Sequence, residues 1–271
     1  MLIDDIISST TRYNLHSHTQ YCDGRFTMDE FAAAAAASGM LHYGFSPHSP
    51  VPIESPCNMK SADVDEYLAT VKRLNDAYQG RIRFYAGMEI DYLGEKWGAS
   101  HEYFRRLPLD YSISSVHFVP APDTGEEIDV DGSPERFIKR LDQYFGGDLR
   151  YVVDTFYDRT RDMILAGGFD IIGHFDKIGL NASVAQPGIE DEPWYRSRVE
   201  EIVSLLADSD IFVEINTKAF AQRSRFFPHE RYWPLLTDRR LKIVVNSDAH
   251  YTDLIDASRG EALSRLSAYA H

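Results

Sequence analysis

Cysteine is scarce in this chain of 271 residues: Cys22 and Cys57 are the only two. Two thiols make no disulfide framework at this length, so the fold must rest on a hydrophobic core, and a reducing compartment is its natural setting. Basic charge is also short. Lys and Arg number 28 against 42 Asp and Glu, a formal net charge of −14. A field of that sign repels polyanions at long range, which counts against nucleic acid or an anionic membrane as partner. The densest basic group, Arg223, Arg225 and Arg231, is brief and contains Glu230. Long apolar runs are missing too. The longest is FAAAAAA at 31–37, far below a membrane span. The opening MLIDDIISST carries two aspartates and no basic start, unlike a secretory signal. A soluble, cytoplasmic protein is the expectation. The chain shows neither an internal repeat nor the Gly-rich turn of a dinucleotide-binding sheet.

What is present is an ordinary globular composition, 44% hydrophobic and 13% aromatic. Seven short runs read as strands: RYNLHSHT, LHYGFSPH, IRFYAGMEIDY, DYSISSVHFV, FDIIGHFD, DIFVEINT and LKIVVNSDAH. Helical segments lie between most of them. Thr27 and Glu30 form a capping box before the alanine tract that Gly39 closes. Ser133-Pro134 opens another helix, and Val64, Leu68, Val71 and Leu74 recur at helical spacing. Segments 151–166, 193–207 and 253–269 look similar. Strand alternating with helix, with no Gly/Ser/Pro linker, implies one α/β domain over 1–271 with a mainly parallel sheet. An open doubly wound sheet and a barrel both satisfy that pattern.

The polar residues favour the barrel. His16 and His18, two apart in a strand, share a face. Six of the ten histidines fall at the carboxyl end of an expected strand: His16, His18, His48, His117, His174 and His250. Glu89 ends the third run, and Asp248 sits two residues before His250. In an α/β barrel these ends converge on one mouth, where active sites of that architecture lie. Burying so many polar groups unpaired would cost several kcal/mol, and a metal cluster satisfies them together. His42, His101, His229 and His271 have no such placement and are read as structural.

The motifs HSHTQYCDG, GFSPHSP, GMEIDY, SVHFV, GHFD, EINT and NSDAH, in this order, resemble the polymerase and histidinol phosphatase (PHP) superfamily. The resemblance implies a distorted (β/α)7 barrel, TIM-barrel-like, with the metal site at the C-terminal ends of the strands and up to three divalent ions. It adds Asp23, otherwise a turn residue beside Gly24, to the ligand set. It also implies the partition: His16, His18, Glu89 and Asp248 on one ion; Glu89, His117 and His174 on a second; Asp23, His48 and His250 on a third. Nitrogen and oxygen ligation suits Zn, Mn or Fe without choosing among them. Glu89, Asp248 and His250 are then expected to act through the metals they hold, in hydrolysis of a small phosphate monoester.

Within the superfamily, HTQYCDG, GFSPHSPVP, GMEIDYLG and EINT are most similar to stand-alone histidinol-phosphate phosphatases, which implies L-histidinol phosphate as substrate. Arg223, in the loop after EINT, is the expected phosphate contact, with Arg159 and Arg161 behind it. That loop, KAFAQRSRFF, departs from the glycine-containing basic loop more usual there. Asp91 or Glu54 would suit an amine or imidazole on the substrate. A nuclease of the same superfamily and a barrel amidohydrolase stand as alternatives. Against them weigh the acidic charge and the fact that Glu89 fills the place a bridging lysine would take. Nothing in the sequence bears on oligomeric state.

Overall fold

The structure, a computed structural model, describes residues 2–269. His271 lies outside the described residues. Among the described residues ten strands form: β1 (Tyr13–Asn14), β2 (His42–Phe45), β3 (Arg83–Ala86), β4 (Glu89–Asp91), β5 (Ile113–Ser115), β6 (Phe118–Pro120), β7 (Glu127–Asp129), β8 (Ile171–Ile172), β9 (Phe212–Asn216) and β10 (Ile243–Asn246). They assemble as a parallel sheet β1-β2-β3, a parallel sheet β10-β9-β8-β5-β4, and the antiparallel hairpin β6-β7. The α/β architecture and the parallel pairing are as the sequence pattern predicts.

Among the described residues the sheets do not close into one continuous barrel ladder. The two parallel sheets meet through isolated bridges, Ser17 with Ala249 and His48 with Glu89. At the second of these the reason is local. The run IRFYAGMEIDY, expected as one strand, breaks at Gly87-Met88, so Glu89 opens β4 rather than ending a strand. At the break the ring of Tyr111 presses on the backbone. A Cβ on Gly87 would lie 2.3 Å from its Cζ, and one on Gly44 would lie 2.1 Å from its hydroxyl. Only glycine lets the ring cross here, where its hydroxyl donates to the Leu15 carbonyl.

Helices follow the expected signals. Met28–Ala37 starts from Thr27 with both capping-box bonds formed. Pro134–Phe145 starts at Ser133 with proline in the first turn, and Val64–Ala77 buries Val64, Val71 and Leu74. The segments read as 151–166 and 193–207 are Leu149–Ala166 and Pro193–Ala207. The last helix is shorter than expected, Arg259–Ser267. Arg259 is drawn inward to the Val245 carbonyl and pairs with Asp256, which ties up the preceding turn. Among the described residues no helix is long and apolar enough to cross a membrane.

Tyr13, Leu15, Tyr85, Ile113, Ile171, Phe212 and Val244, drawn from both sheets, form one apolar cluster with Tyr111. Ile3 and Ile6 of the first helix, Leu2–Ser9, belong to it as well. Apolar residues occupy that end of the strands, and the polar side chains gather at the other.

Candidate metal centre

All nine side chains that the motifs single out converge. His16 and His18 follow β1, His48 follows β2, Glu89 opens β4, and His117 stands between β5 and β6. His174 follows β8, and Asp248 and His250 follow β10. Asp23 is delivered by the turn after His18. That turn requires Gly24, where a Cβ would lie 2.3 Å from the His18 backbone. Glu89 is the hub. Its Oε2 lies 3.3 Å from His16 Nε2, 3.4 Å from His18 Nε2 and 3.2 Å from His48 Nδ1. Its Oε1 lies 3.0 Å from His174 Nε2 and 3.6 Å from His117 Nε2. Asp248 Oδ1 approaches His18 Nε2 at 3.1 Å and His16 Nε2 at 3.9 Å. Asp23 Oδ1 approaches His250 Nε2 at 3.3 Å and His18 Nδ1 at 3.5 Å.

The cluster is built to receive cations. His16 Nε2, Asp23 Oδ1, His48 Nδ1 and His117 Nε2 are buried with no hydrogen-bond partner. Such orphaned atoms are costly unless something binds them. Four overlapping groups have their donor atoms within 4.8 Å of one another: His18/Asp23/His48/His250, His16/His174/Asp248, His16/His18/Glu89 and His48/Glu89/His117. The donors are imidazole nitrogens and carboxylate oxygens, a set that fits a divalent ion.

Electrostatics agree. Burial would raise the Glu89 carboxyl, yet His16, His48 and His117 hold it well below the usual carboxylate range. Burial also opposes ionisation of Asp248, and Lys218, His16, His18 and His250 reverse it. Burial, with His250 and His48, pushes His18 well below the ordinary histidine value. It would lower His117 as well, but Glu89 and Asp91 lift that residue to about 9. The carboxylates demand positive charge, which protons or metal ions can supply.

Two partners missed by the sequence reading stand behind the histidines. Glu214, buried in β9, accepts the His16 Nδ1–H at 2.6 Å and the His174 backbone N–H at 3.1 Å. Asp91, in β4, accepts the His117 Nδ1–H at 2.6 Å. Each turns the opposite nitrogen toward the cluster, the arrangement by which carboxylates orient metal-binding histidines. The signal for Glu214 was present: an acid inside the apolar strand IFVEIN. Strained backbone supports two of the nine, His174 at φ 20° and Asp248 at φ 49°.

Of the other sequence candidates, Asp91 touches this cluster and the rest pair elsewhere or stand exposed. Arg223 ends the short helix Phe220–Arg223, exposed and away from the cavity. Arg159 clamps Glu127 and the Phe118 carbonyl, and Arg161 pairs with Asp158 and Asp162. Glu54 is exposed in a neighbouring groove. Asp91 lines the cavity while pairing with His117 and the Asn58 amide. His42 is the first residue of β2 and meets the Tyr85 hydroxyl, while His101 and His229 cap short helical turns. A cavity of about 230 Å³ opens beside the cluster, lined by Asp23, His48, His117, His250, Lys218 and residues of the β6-β7 wall.

The chain is similar to known proteins in sequence and in fold. Over 242 residues the chain is 25% identical to a Deinococcus radiodurans protein named "Probable histidinol-phosphatase", covering 87% of this chain and 85% of that one. A histidinol-phosphatase of Bacillus subtilis is 24% identical over 255 residues, covering 87% and 92%. A Lactococcus lactis histidinol phosphate phosphatase, solved with zinc, L-histidinol and phosphate, superposes with a TM-score of 0.69 at 20% identity, covering 95% and 93%. A Listeria monocytogenes structure, a candidate histidinol phosphatase, reaches 0.81 at 17% identity, covering 92% and 99%. At those identities the structures speak to fold. Residues 14–218 match the PHP domain, a span that runs from β1 to the turn after β9 and contains seven of the nine converging side chains; this chain belongs to the PHP domain family.

Proposed function

We propose that the chain is a metal-dependent phosphatase that hydrolyses L-histidinol phosphate to L-histidinol and phosphate. The observation that carries this reading is the set of four orphaned, buried donor atoms aimed into one cluster of six imidazoles and three carboxylates. The names of the relatives, and the contents of the Lactococcus structure, support the choice of substrate.

In this reading His16, His18, Glu89 and Asp248 hold one divalent ion, Glu89, His117 and His174 a second, and Asp23, His48 and His250 a third. Zn, Mn or Fe would suit these donors. Such ions, when bound, polarise a phosphoryl oxygen and make hydroxide available at neutral pH. The chain contributes the rest. Glu214 and Asp91 fix the imidazoles that need a set tautomer, and the cavity admits a small ester while its acidic walls turn away polyanions. The expected barrel is supported by the shared apolar cluster and by the two bridges. With β3 and β4 counted as one broken strand, seven strands return from β10 to β1 at Ser17 and Ala249. We read residues 1–271 as one such domain. Cys22 and Cys57, both unpaired, suit the cytoplasm.

The test is kcat/KM on metal-reconstituted protein, with L-histidinol phosphate set against other small monoesters and a short oligonucleotide. A preference of roughly 100-fold or more supports the assignment. Equal, slow rates on every small ester would leave a phosphatase with another substrate.

A further inference from the structure

Two cations line the cavity beside the cluster, Arg136 and Lys218. Arg136 belongs to the far wall, where its guanidinium lies 3.3 Å from Asp129. Lys218 stands in the turn after β9, and its backbone N–H donates to Asn216 Oδ1 at 3.1 Å. Its Nζ reaches 3.2 Å from Asp248 Oδ1 and 3.2 Å from His250 Nε2. Those atoms are donors in two of the proposed metal sites. The Nε2 lone pair of His250 can accept one hydrogen bond or hold one cation, not both. His250 Nδ1 is already spent on the Asp248 carbonyl at 3.0 Å. An ion taken up by Asp23, His48 and His250 therefore displaces the ammonium group, and like charge drives it the same way.

A displaced Nζ, tethered by a fixed turn, has the cavity in front of it. Of the carboxylates lining that space, Asp131 is already paired with Lys177 at 2.7 Å, Asp129 with Arg140 at 2.8 Å and Asp91 with His117 at 2.6 Å, and Asp23 is itself one of the metal ligands. What remains is an unpaired cation beside the metal ligands, at the place where a monoester must set its phosphate. Arg223, five positions further on, is exposed on its helix and does not line the cavity.

We propose that Lys218 is the phosphate contact of this protein, parked on Asp248 and His250 when the ions are absent and moved to a phosphate oxygen when they are present. This deepens the phosphatase reading and rests on it. It also accounts for the departure of the loop KAFAQRSRFF from the usual pattern: the cation is supplied at the first position of the loop, directly after EINT.

The experiment compares wild type, Lys218→Met and Lys218→Arg. Zinc retention is measured against a chelator, and inorganic phosphate binding to the zinc-loaded protein by calorimetry. The third readout is kcat/KM for L-histidinol phosphate. In Lys218→Met, phosphate binding is expected to weaken roughly 10- to 100-fold, with kcat/KM falling by at least as much. Zinc should be held as tightly as in wild type or more tightly, because a competing cation is gone. Lys218→Arg should recover part of the phosphate affinity. Phosphate affinity within twofold of wild type in Lys218→Met overturns the proposal. So does a joint loss of zinc and phosphate that excess zinc repairs, since Lys218 would then be only a prop for its ligands. Wild type inert toward every small monoester would overturn the phosphatase reading instead, and the calorimetry would still judge the phosphate contact.

Discussion

At Glu214, four donors meet one carboxylate: His16 Nδ1, the His174 backbone N–H, Asn216 Nδ2 and Asn246 Nδ2. A glutamine there would present an amide nitrogen, itself a donor, to two of them. Glu214→Gln should therefore free His16 to adopt the other tautomer and loosen its Nε2. Zinc retention against a chelator is expected to fall roughly 10- to 100-fold, and Asp91→Asn should do the same through His117. Glu54→Gln, on an exposed side chain, should change nothing in that assay. Unaltered retention in Glu214→Gln would refute the orienting role. The residues that meet at the cluster were legible from motif order and the strand-end placement of histidines. The carboxylates behind them were not, because a strand sequence does not say which neighbour an inward acid faces. Asp91 shows the difficulty: as an acid near the site it looked fit to read a substrate amine, and nothing in its strand marked it as the partner of His117 as well.

Elements decide the cavity's shape as residues decide its chemistry. Its outer wall includes the hairpin β6-β7, which no strand run in the sequence marked as a pair. The hairpin is fastened from outside: Arg159 of the helix Leu149–Ala166 donates to both Glu127 oxygens, at 2.6 and 2.8 Å, and to the Phe118 carbonyl at 3.0 Å. Both side chains are mostly buried, 13% and 16% exposed, so solvent screens the pair little. Arg159→Ala should lower the unfolding free energy by about 3 kcal/mol in denaturant titration. It should also raise KM for L-histidinol phosphate about tenfold while zinc content stays full, because the wall slackens and the cluster does not. A fall in zinc content with KM unchanged would contradict this division of labour. Helices with a cap or a proline at their start were legible to within a few residues because those signals are local, whereas the last helix, without a side-chain cap, starts six residues later than expected. The broken third strand was not. Its cause is a tyrosine 24 positions away that crosses at Gly87, and the only local trace was a glycine inside an apolar run.

Over the whole molecule, the two sheets are joined at their weakest points by the cluster itself. One seam pairs Ser17, between His16 and His18, with Ala249, between Asp248 and His250; the other pairs His48 with Glu89. Few backbone bonds cross: His18 N to the Ala249 carbonyl at 2.8 Å, Ala249 N to His16 at 3.2 Å, Ser49 N to Glu89 at 2.8 Å and Glu89 N to Pro47 at 3.0 Å. Ions that bind side chains on both sides of each seam would fasten what the backbone leaves thin, and binding only the folded state adds stability by mass action, about 2.7 kcal/mol at a hundredfold excess over Kd. Strand–helix alternation announced the α/β fold with its parallel pairing. The seams were not legible, since isolated bridges beyond the strand ends carry no periodicity to read. Removing the ions with a chelator should thus speed amide exchange at His18, Ser49, Glu89 and Ala249, while the four-residue ladder of β9 with β10 keeps its protection. Uniform loss of protection would mean that the ions hold the entire fold, and unchanged seams would mean that the strands close without them. Selective loss is the expected result, because the ladder is paired by its own backbone and the seams depend on nine side chains drawn from Asp23, Glu89, Asp248 and six histidines spread along the chain from His16 to His250.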